Sequence, residues 1–414
     1  MIHDVEPLIT QLGKRLHQTR AYWQFKPFEH HHLPFPEPLA SWLWQQSDAS
    51  IERLNTDANY AAEQFQPWLP EPIQWRAELE QQLAAPKQRA NKPIPFWLSS
   101  GISGRKLAQI QAFTEQLRPP QGLQLEWCAG KGHLGRLLQY EYAQPVRSLE
   151  WQPQLSEAGQ ALARQHGIDQ TFVCADVLSP DVDAQLSDIT SAVALHACGD
   201  LHTQLIRRVI ATKVPYVQLA PCCYPLQQAS RYRPCSRAAA ATELALSRFD
   251  LKLAVQGQMT GGERIRVLRE REIQWRLGYE SWRRTYTGGN EYLPLSTFPK
   301  ALLSGNFSEF VSWAATQHQL AVGSLTRADT QAHEAAGIAH WRAVQRMDAV
   351  RRVFGRLLEI WLVLDRASWL HEAGYDVAVF TFCEPQLTPR NLCIQAVHPR
   401  LGSSRDDKNH ASNN

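Results

Sequence analysis

Glu126-Trp127-Cys128-Ala129-Gly130-Lys131-Gly132-His133-Leu134-Gly135 is the stretch that decides the fold. It joins a short apolar run, Leu123 to Cys128, to a helical pattern carrying Leu134, Leu137 and Leu138 on one stripe. Between them lies Gly130-x-Gly132-x-x-Gly135. Glycines permit a tight turn and let the backbone approach a ligand closely. On spacing alone this suits a dinucleotide site, a nucleoside site, or a strand-to-helix turn with no ligand.

Outward from the loop, strands and helices alternate. Arg147 to Trp151, Thr171 to Asp176, Ala192 to His196 and Tyr216 to Ala220 are expected as strands. Leu155 to His166 is a helix stopped by Gly167, and Asp200 caps a helix with Leu201, Leu205, Ile206, Val209 and Ile210. Such alternation predicts a parallel, doubly wound α/β sheet. Val350, Val353, Phe354, Leu357, Trp361 and Leu364 form the stripe of one long helix. Asp376 to Phe382 and Leu392 to Val397 follow with no helix between them, so they should pair antiparallel.

Three carboxylates mark the ends of successive strands. Glu126 lies within the first strand, where it meets an amino group of a bound cofactor. Glu150 ends the second and suits two ribose hydroxyls. Asp176 ends the third and suits an adenine amino group. Each alone is an ordinary charge facing a loop. Together, beside a glycine loop, they outline a nucleoside site at the edge where open α/β sheets bind ligands. A side chain at Gly132 is expected to occupy cofactor space.

These residues resemble the class I, seven-strand methyltransferases. The nearest branch carries a Cys-x-Gly-[Gly/Lys]-Gly-His-Leu loop and includes a transfer-RNA 2'-O-methyltransferase and eukaryotic methyltransferase-like proteins. Three segments carry the resemblance: Glu126 to Leu134, Leu195-His196-Ala197-Cys198-Gly199-Asp200-Leu201, and Ala220-Pro221-Cys222-Cys223-Tyr224. It covers about 123–224 and 346–398. It departs at Glu126, where relatives often have Asp, and at Pro225, where some have a histidine. It implies a Rossmann-like seven-strand sheet with an antiparallel C-terminal strand, and S-adenosylmethionine as cofactor. Glu126, Cys128, Ala129, Gly130, Lys131, Gly132, His133, Leu134, Gly135, Glu150, Trp151, Asp176, Val177 and His196 would surround the cofactor. Cys198, Asp200, Pro221, Cys223, Tyr224, Arg231 and Arg233 would face the substrate. His196 is a candidate general base, with loop orientation as its alternative role. Cys222 is a candidate nucleophile. The alternatives for Cys128, Cys198, Cys222 and Cys223 are a metal or redox cluster, or small apolar side chains packed beneath the cofactor; packing is the expectation, and no metal is expected.

The 414 residues suggest several regions. They are a mainly helical stretch over 1–120, a methyltransferase domain over 121–224 and 346–400, an inserted, partly basic region over 225–345, and a disordered tail over 401–414. The insertion interleaves Arg231, Arg233, Arg237, Arg248, Arg264, Arg266, Arg269, Arg271, Arg276 and Arg283 with Tyr232, Trp275, Tyr279 and Trp282. Arginine meets phosphates and aromatic rings stack on bases, so RNA is the expected partner. Over 263–272 the competing reading is a solvated helix whose arginines pair with Glu263, Glu270 and Glu272. A protein or small-molecule methyltransferase and a non-catalytic cofactor-binding module stay open. The net charge of +3 decides nothing by itself. No apolar run spans a membrane, and the acidic start lacks an export signal, so a cytoplasmic protein is expected. The eight cysteines fit that compartment as free thiols and lack C-x-x-C pairs.

Overall fold

A computed structural model describes residues 1–85, 92–255, 263–289, 291–322 and 326–399. The expected tail over 401–414 lies outside them. Seven strands form one sheet in the order β3-β2-β1-β4-β5-β7-β6. They are β1 (Gln124–Trp127), β2 (Val146–Glu150), β3 (Gln170–Cys174), β4 (Ser191–Cys198), β5 (Tyr216–Cys222), β6 (Asp376–Thr381) and β7 (Leu392–Val397). The first five run parallel, and β7 inserts antiparallel between β5 and β6. This is the expected Rossmann-like sheet with its reversed strand. Burial follows from the sequence: every residue of β1 and β5 is buried, as a sheet covered on both faces requires. Strand order reverses between β1 and β4, and the C-terminal edge at such a switch point is where open α/β sheets bind ligands.

The chain divides into two compact units. The first comprises Met1–Gln18, Gln74–Gln256 and Gly355–Asn414 and holds the sheet. Here the chain's beginning is tied in by non-local pairing: Ile2 and Val379 exchange backbone hydrogen bonds of 2.9 Å in both directions. The helix Val5–Gln18 then packs on the helix Gly355–Glu372. A boundary near residue 120 is therefore not where the contacts divide. The second unit, Thr19–Ile73 and Gly257–Phe354, is helical. The single helix expected through Val350 and Leu364 is two helices, Arg327–Val353 and Gly355–Glu372. They part at Gly355, whose missing side chain lets the backbone approach Leu253 O; a Cβ would sit 3.0 Å away. No helix among the described residues is long and apolar enough to cross a membrane.

Candidate active site

Backbone conformation singles out one edge of the sheet. Cys128, His196 and Cys223 have φ of 57°, 61° and 50° and stand at the ends of β1, β4 and β5. Left-handed backbone at a non-glycine residue costs on the order of 1–3 kcal/mol and gathers at functional sites. Ala143 and Lys213, also left-handed, merely cap helices.

The glycine loop continues the strain. Gly130 and Gly132 have φ of 59° and 65°. Gly132 precedes the helix His133–Tyr142 without a side-chain cap; the Gly135 amide turns to Glu126, and the amides of His133 and Leu134 precede it in the first turn. Glu150 organises the loop from β2: its Oε2 accepts from Gly130 N at 2.8 Å and its Oε1 from Gln152 N at 3.0 Å. A carboxylate has about four acceptor positions, so capacity remains for ligand hydroxyls. Trp151 follows with 67% of its surface exposed. Asp176 is exposed two residues beyond β3, its Oδ1 accepting from Leu178 N at 2.9 Å, while Val177 is buried beside it.

Glu126 departs from its expected role. It is 3% exposed and turned beneath the loop. Its Oε2 accepts from Ser148 Oγ at 2.6 Å and from Gln170 Nε2 at 3.2 Å, and Gln170 also donates to Gly132 O at 3.2 Å. Burial raises its carboxyl to about 7, against opposing pulls from Ser148, the Gly135 amide and Arg136. Glu126 therefore supports the loop from below. Gly132 is corrected likewise: a Cβ there would lie 2.3 Å from Phe172 Cζ and 2.4 Å from Gln170 Nε2, inside protein and not in ligand space. Beside Gly130, in contrast, a Cβ would meet nothing within 4 Å. Gly135 lets the helix lie close on the sheet, its position crowded by Gln170, Glu126 and Val146.

Arg136 escaped the sequence reasoning, although it directly follows the motif. It is buried, donates to Lys131 O at 2.7 Å and binds His133 Nδ1, fixing the loop's two ends together. Burial and the Arg136 charge lower His133 to about 4, so its ring is neutral. Lys131 is exposed, Leu134 buried, and Cys128 and Ala129 half-buried. Burial pushes the Cys128 thiol up to about 12.

At the end of β4, His196 sits where the register with β5 shifts. Its Nε2 lies 3.2 Å from Gln109 Oε1, on the helix Gly104–Glu115, a second partner that no local pattern announced. An amide oxygen only accepts, so Nε2 carries the proton and Nδ1 keeps its lone pair. Burial lowers His196 below its ordinary pKa, favouring the neutral ring that a general base needs. Gly199 has φ of 55°, and a Cβ there would lie 1.6 Å from Leu226 O. Asp200 is not the helix cap expected; Gly199 holds that place, and the Asp200 carboxylate accepts from Gln228 N at 2.7 Å.

The thiols of Cys198 and Cys222 are 3.5 Å apart. Hydrogen bonding to Cys198 and Cys223, together with burial, pushes the Cys222 thiol up, and only 3% of the residue is exposed. A thiol in that state is a poor nucleophile. Cys223 is held low by hydrogen bonds from Cys198 and Cys222. Pro221 and Tyr224 turn inward, Tyr224 OH reaching Pro221 O at 3.3 Å and its ring lying 5.0 Å from Arg366. Both are buried, away from the exposed surface expected of them. Arg231 and Arg233 are exposed.

The interleaved aromatics are not a stacking surface. Tyr232 is 8% exposed and hydrogen-bonded to Asp365 and Arg366. Trp275, Tyr279 and Trp282 build the core of the helical unit with Phe298, Phe307 and Phe310. Many arginines there are engaged: Arg283 and Arg284 on Glu280, Arg276 on Glu272, Arg266 on Glu52, and Arg271 on Leu303 O. Of the expected acidic partners, Glu272 pairs with Arg276, Glu270 accepts from Trp341 Nε1, and the side chain of Glu263 lies outside the described residues.

Residues 105–229 match a family model described as a methyltransferase domain. Among solved structures, similarity extends to one described as conversion of a disulfide bond into a thioacetal group during echinomycin biosynthesis. It is 17% identical, with 24% of this chain and 45% of that chain covered and a TM-score of 0.22. The Pyrococcus abyssi tRNA (uracil-54, C5)-methyltransferase with S-adenosyl-L-homocysteine is 14% identical, with 33% and 30% covered and a TM-score of 0.23. Coclaurine N-methyltransferase bound to N-methylheliamine and S-adenosylhomocysteine is 15% identical, with 51% and 61% covered and a TM-score of 0.26. The chain thus spans less than two thirds of each of these relatives. No curated protein sequence matches.

Proposed function

We propose that the chain is an S-adenosylmethionine-dependent methyltransferase acting on RNA. The observation carrying this reading is the loop after β1, where Cys128, Gly130 and Gly132 are left-handed, Glu150 grips the Gly130 amide, and the space beside Gly130 is open. The residues fit a nucleoside: amides of the helix His133–Tyr142 for a carboxylate, Glu150 for ribose hydroxyls, the exposed Trp151 for a base, and Asp176 for an exocyclic amine. When bound, S-adenosylmethionine supplies a methyl group already activated by its sulfonium. The protein's task is alignment and removal of a proton. His196, neutral and with Nδ1 free, accepts the proton from an acceptor N–H or O–H. Gln109 is its positioning residue, holding the ring through Nε2.

Support for an anionic acceptor is the set of exposed cations in the same unit. Arg105, Lys106 and Lys131 are exposed, and Lys106 acts electrostatically on Glu126, His133 and His196. Arg231 and Arg233 add to them. The test is transfer of labelled methyl from S-adenosylmethionine into total RNA, with binding followed against salt. A linear fall of log affinity with log salt is expected. Label entering protein or a small molecule but not RNA removes the RNA reading, and no transfer to any acceptor removes the catalytic one.

A further inference from the structure

Cys198, Cys222 and Cys223 form a cluster that methyl transfer as argued above does not use. Cys198 ends β4, and Cys222 is its partner in the register of β5. Their Sγ atoms are 3.5 Å apart, and with Cys223 Sγ all three lie within 4.8 Å of one another. A tetrahedral ion with metal–sulfur bonds of about 2.3 Å separates its sulfurs by about 3.8 Å. A disulfide would need about 2.05 Å.

We propose that Cys198, Cys222 and Cys223 form a three-thiolate zinc site. Among the described residues no other histidine, cysteine or carboxylate completes the cluster. A structural zinc site is closed by four protein ligands, whereas three leave a position for water or a substrate atom. Cys222 forms the buried floor, and the half-buried Cys198 and Cys223 leave the cluster reachable from the edge that carries His196. The backbone is held to this shape by the left-handed Cys223 and by Gly199, where only glycine fits. Three thiolates and one divalent zinc leave a net negative charge. The charge of Arg390 acts on Cys223 and opposes it. Soft sulfur ligands select zinc over magnesium or calcium. As the S–Zn bonds form, Cys198 and Cys222 each release a thiol proton to solvent while Cys223 binds as the thiolate it already is, and nothing is oxidised or reduced. The pattern lacks C-x-x-C spacing because its ligands come from two neighbouring strands.

The test uses the full chain purified under reducing conditions without chelator. Elemental analysis should find about one zinc per chain. After zinc removal, titration with cobalt alone should give a thiolate-to-metal charge-transfer band and tetrahedral d–d absorption. Cys198→Ser and Cys223→Ser should each lose the band and weaken cobalt binding by roughly tenfold or more. Cys174→Ser, an exposed cysteine outside the cluster, should keep both. Circular dichroism checks that the variants fold. If one does not, the zinc-dependent rise in the wild-type melting temperature decides instead. Reduced wild type that binds cobalt no better than Cys198→Ser, or shows no melting shift with zinc, overturns the site. So does a mapped disulfide between Cys198 and Cys222 in the natively isolated protein. Cofactor calorimetry on the same samples is a separate readout, so loss of the zinc site and loss of the methyltransferase reading are distinguishable.

Discussion

The loop after β1 and the arginine-rich helix Glu263–Thr287 both look like binding elements in the sequence, and they behave oppositely. The loop acts through its backbone. Its glycines fix its shape, and the open space beside Gly130 follows from a missing side chain. The helix would have to act through side chains. Arg283 and Glu280 are 5% and 2% exposed in their ion pair, and Trp275 is 5% exposed in a core. A motif whose chemistry lies in main-chain geometry survives folding intact. A motif made of long cations and aromatic rings is rewritten by partners distant in sequence.

The largest expected effect breaks the stacking role of the helix outright. Trp275→Ala should lower stability by about 3–5 kcal/mol in urea denaturation, because it empties a packed core. A ring kept for RNA would leave stability unchanged. Gly132→Val should cost about 3 kcal/mol or more, from the collision with Phe172 and the positive φ. Unchanged stability there with lost cofactor binding would return Gly132 to the ligand side of the loop.

Glu126→Gln tests the buried support by pH. Burial raises the folded carboxyl from 4.5 to about 7, so between those values the folded state holds the extra proton. Wild-type stability from this group therefore falls as pH rises through that window, by about 3 kcal/mol at most. The variant should show a flatter profile across it. Gly130→Ala should cost only about 1–2 kcal/mol for its left-handed backbone. Its cofactor affinity should nevertheless fall roughly tenfold or more, since its Cβ enters the space kept for ligand. The smallest stability effect belongs to Arg231→Ala with Arg233→Ala, within about 0.5 kcal/mol. If both meet single-stranded phosphates, the salt slope of RNA binding should fall by about 1.4.

Much of the sheet was legible because apolar runs of strand length alternate with helical stripes, and the reversed β7 follows from two runs with no helix between them. The strand ends were less so: Asp176 was expected in β3, which closes at Cys174. The tie between Ile2 and Val379 leaves no local trace. Within the site, the position of Glu150 at the end of β2 was legible, and its carboxylate grips the loop from there. The role of Glu126 was not, since its partners Ser148 and Gln170 come from the two adjoining strands. Gln109 was missed because its contact with His196 spans 87 positions. Arg136 left a readable signal, lying three residues after His133 on one helical face. The convergence of Cys198, Cys222 and Cys223 was legible from their places at strand ends, whereas Cys128, grouped with them in the sequence, does not join the three among the described residues.

The most direct test is a calorimetric titration of wild type and Gly130→Ala with S-adenosylhomocysteine and, separately, with NAD. The account predicts saturable binding of the first ligand to wild type, its marked weakening in the variant, and no comparable binding of NAD. Equal affinity in both proteins, or tighter binding of NAD, would contradict a nucleoside sulfonium site on this loop.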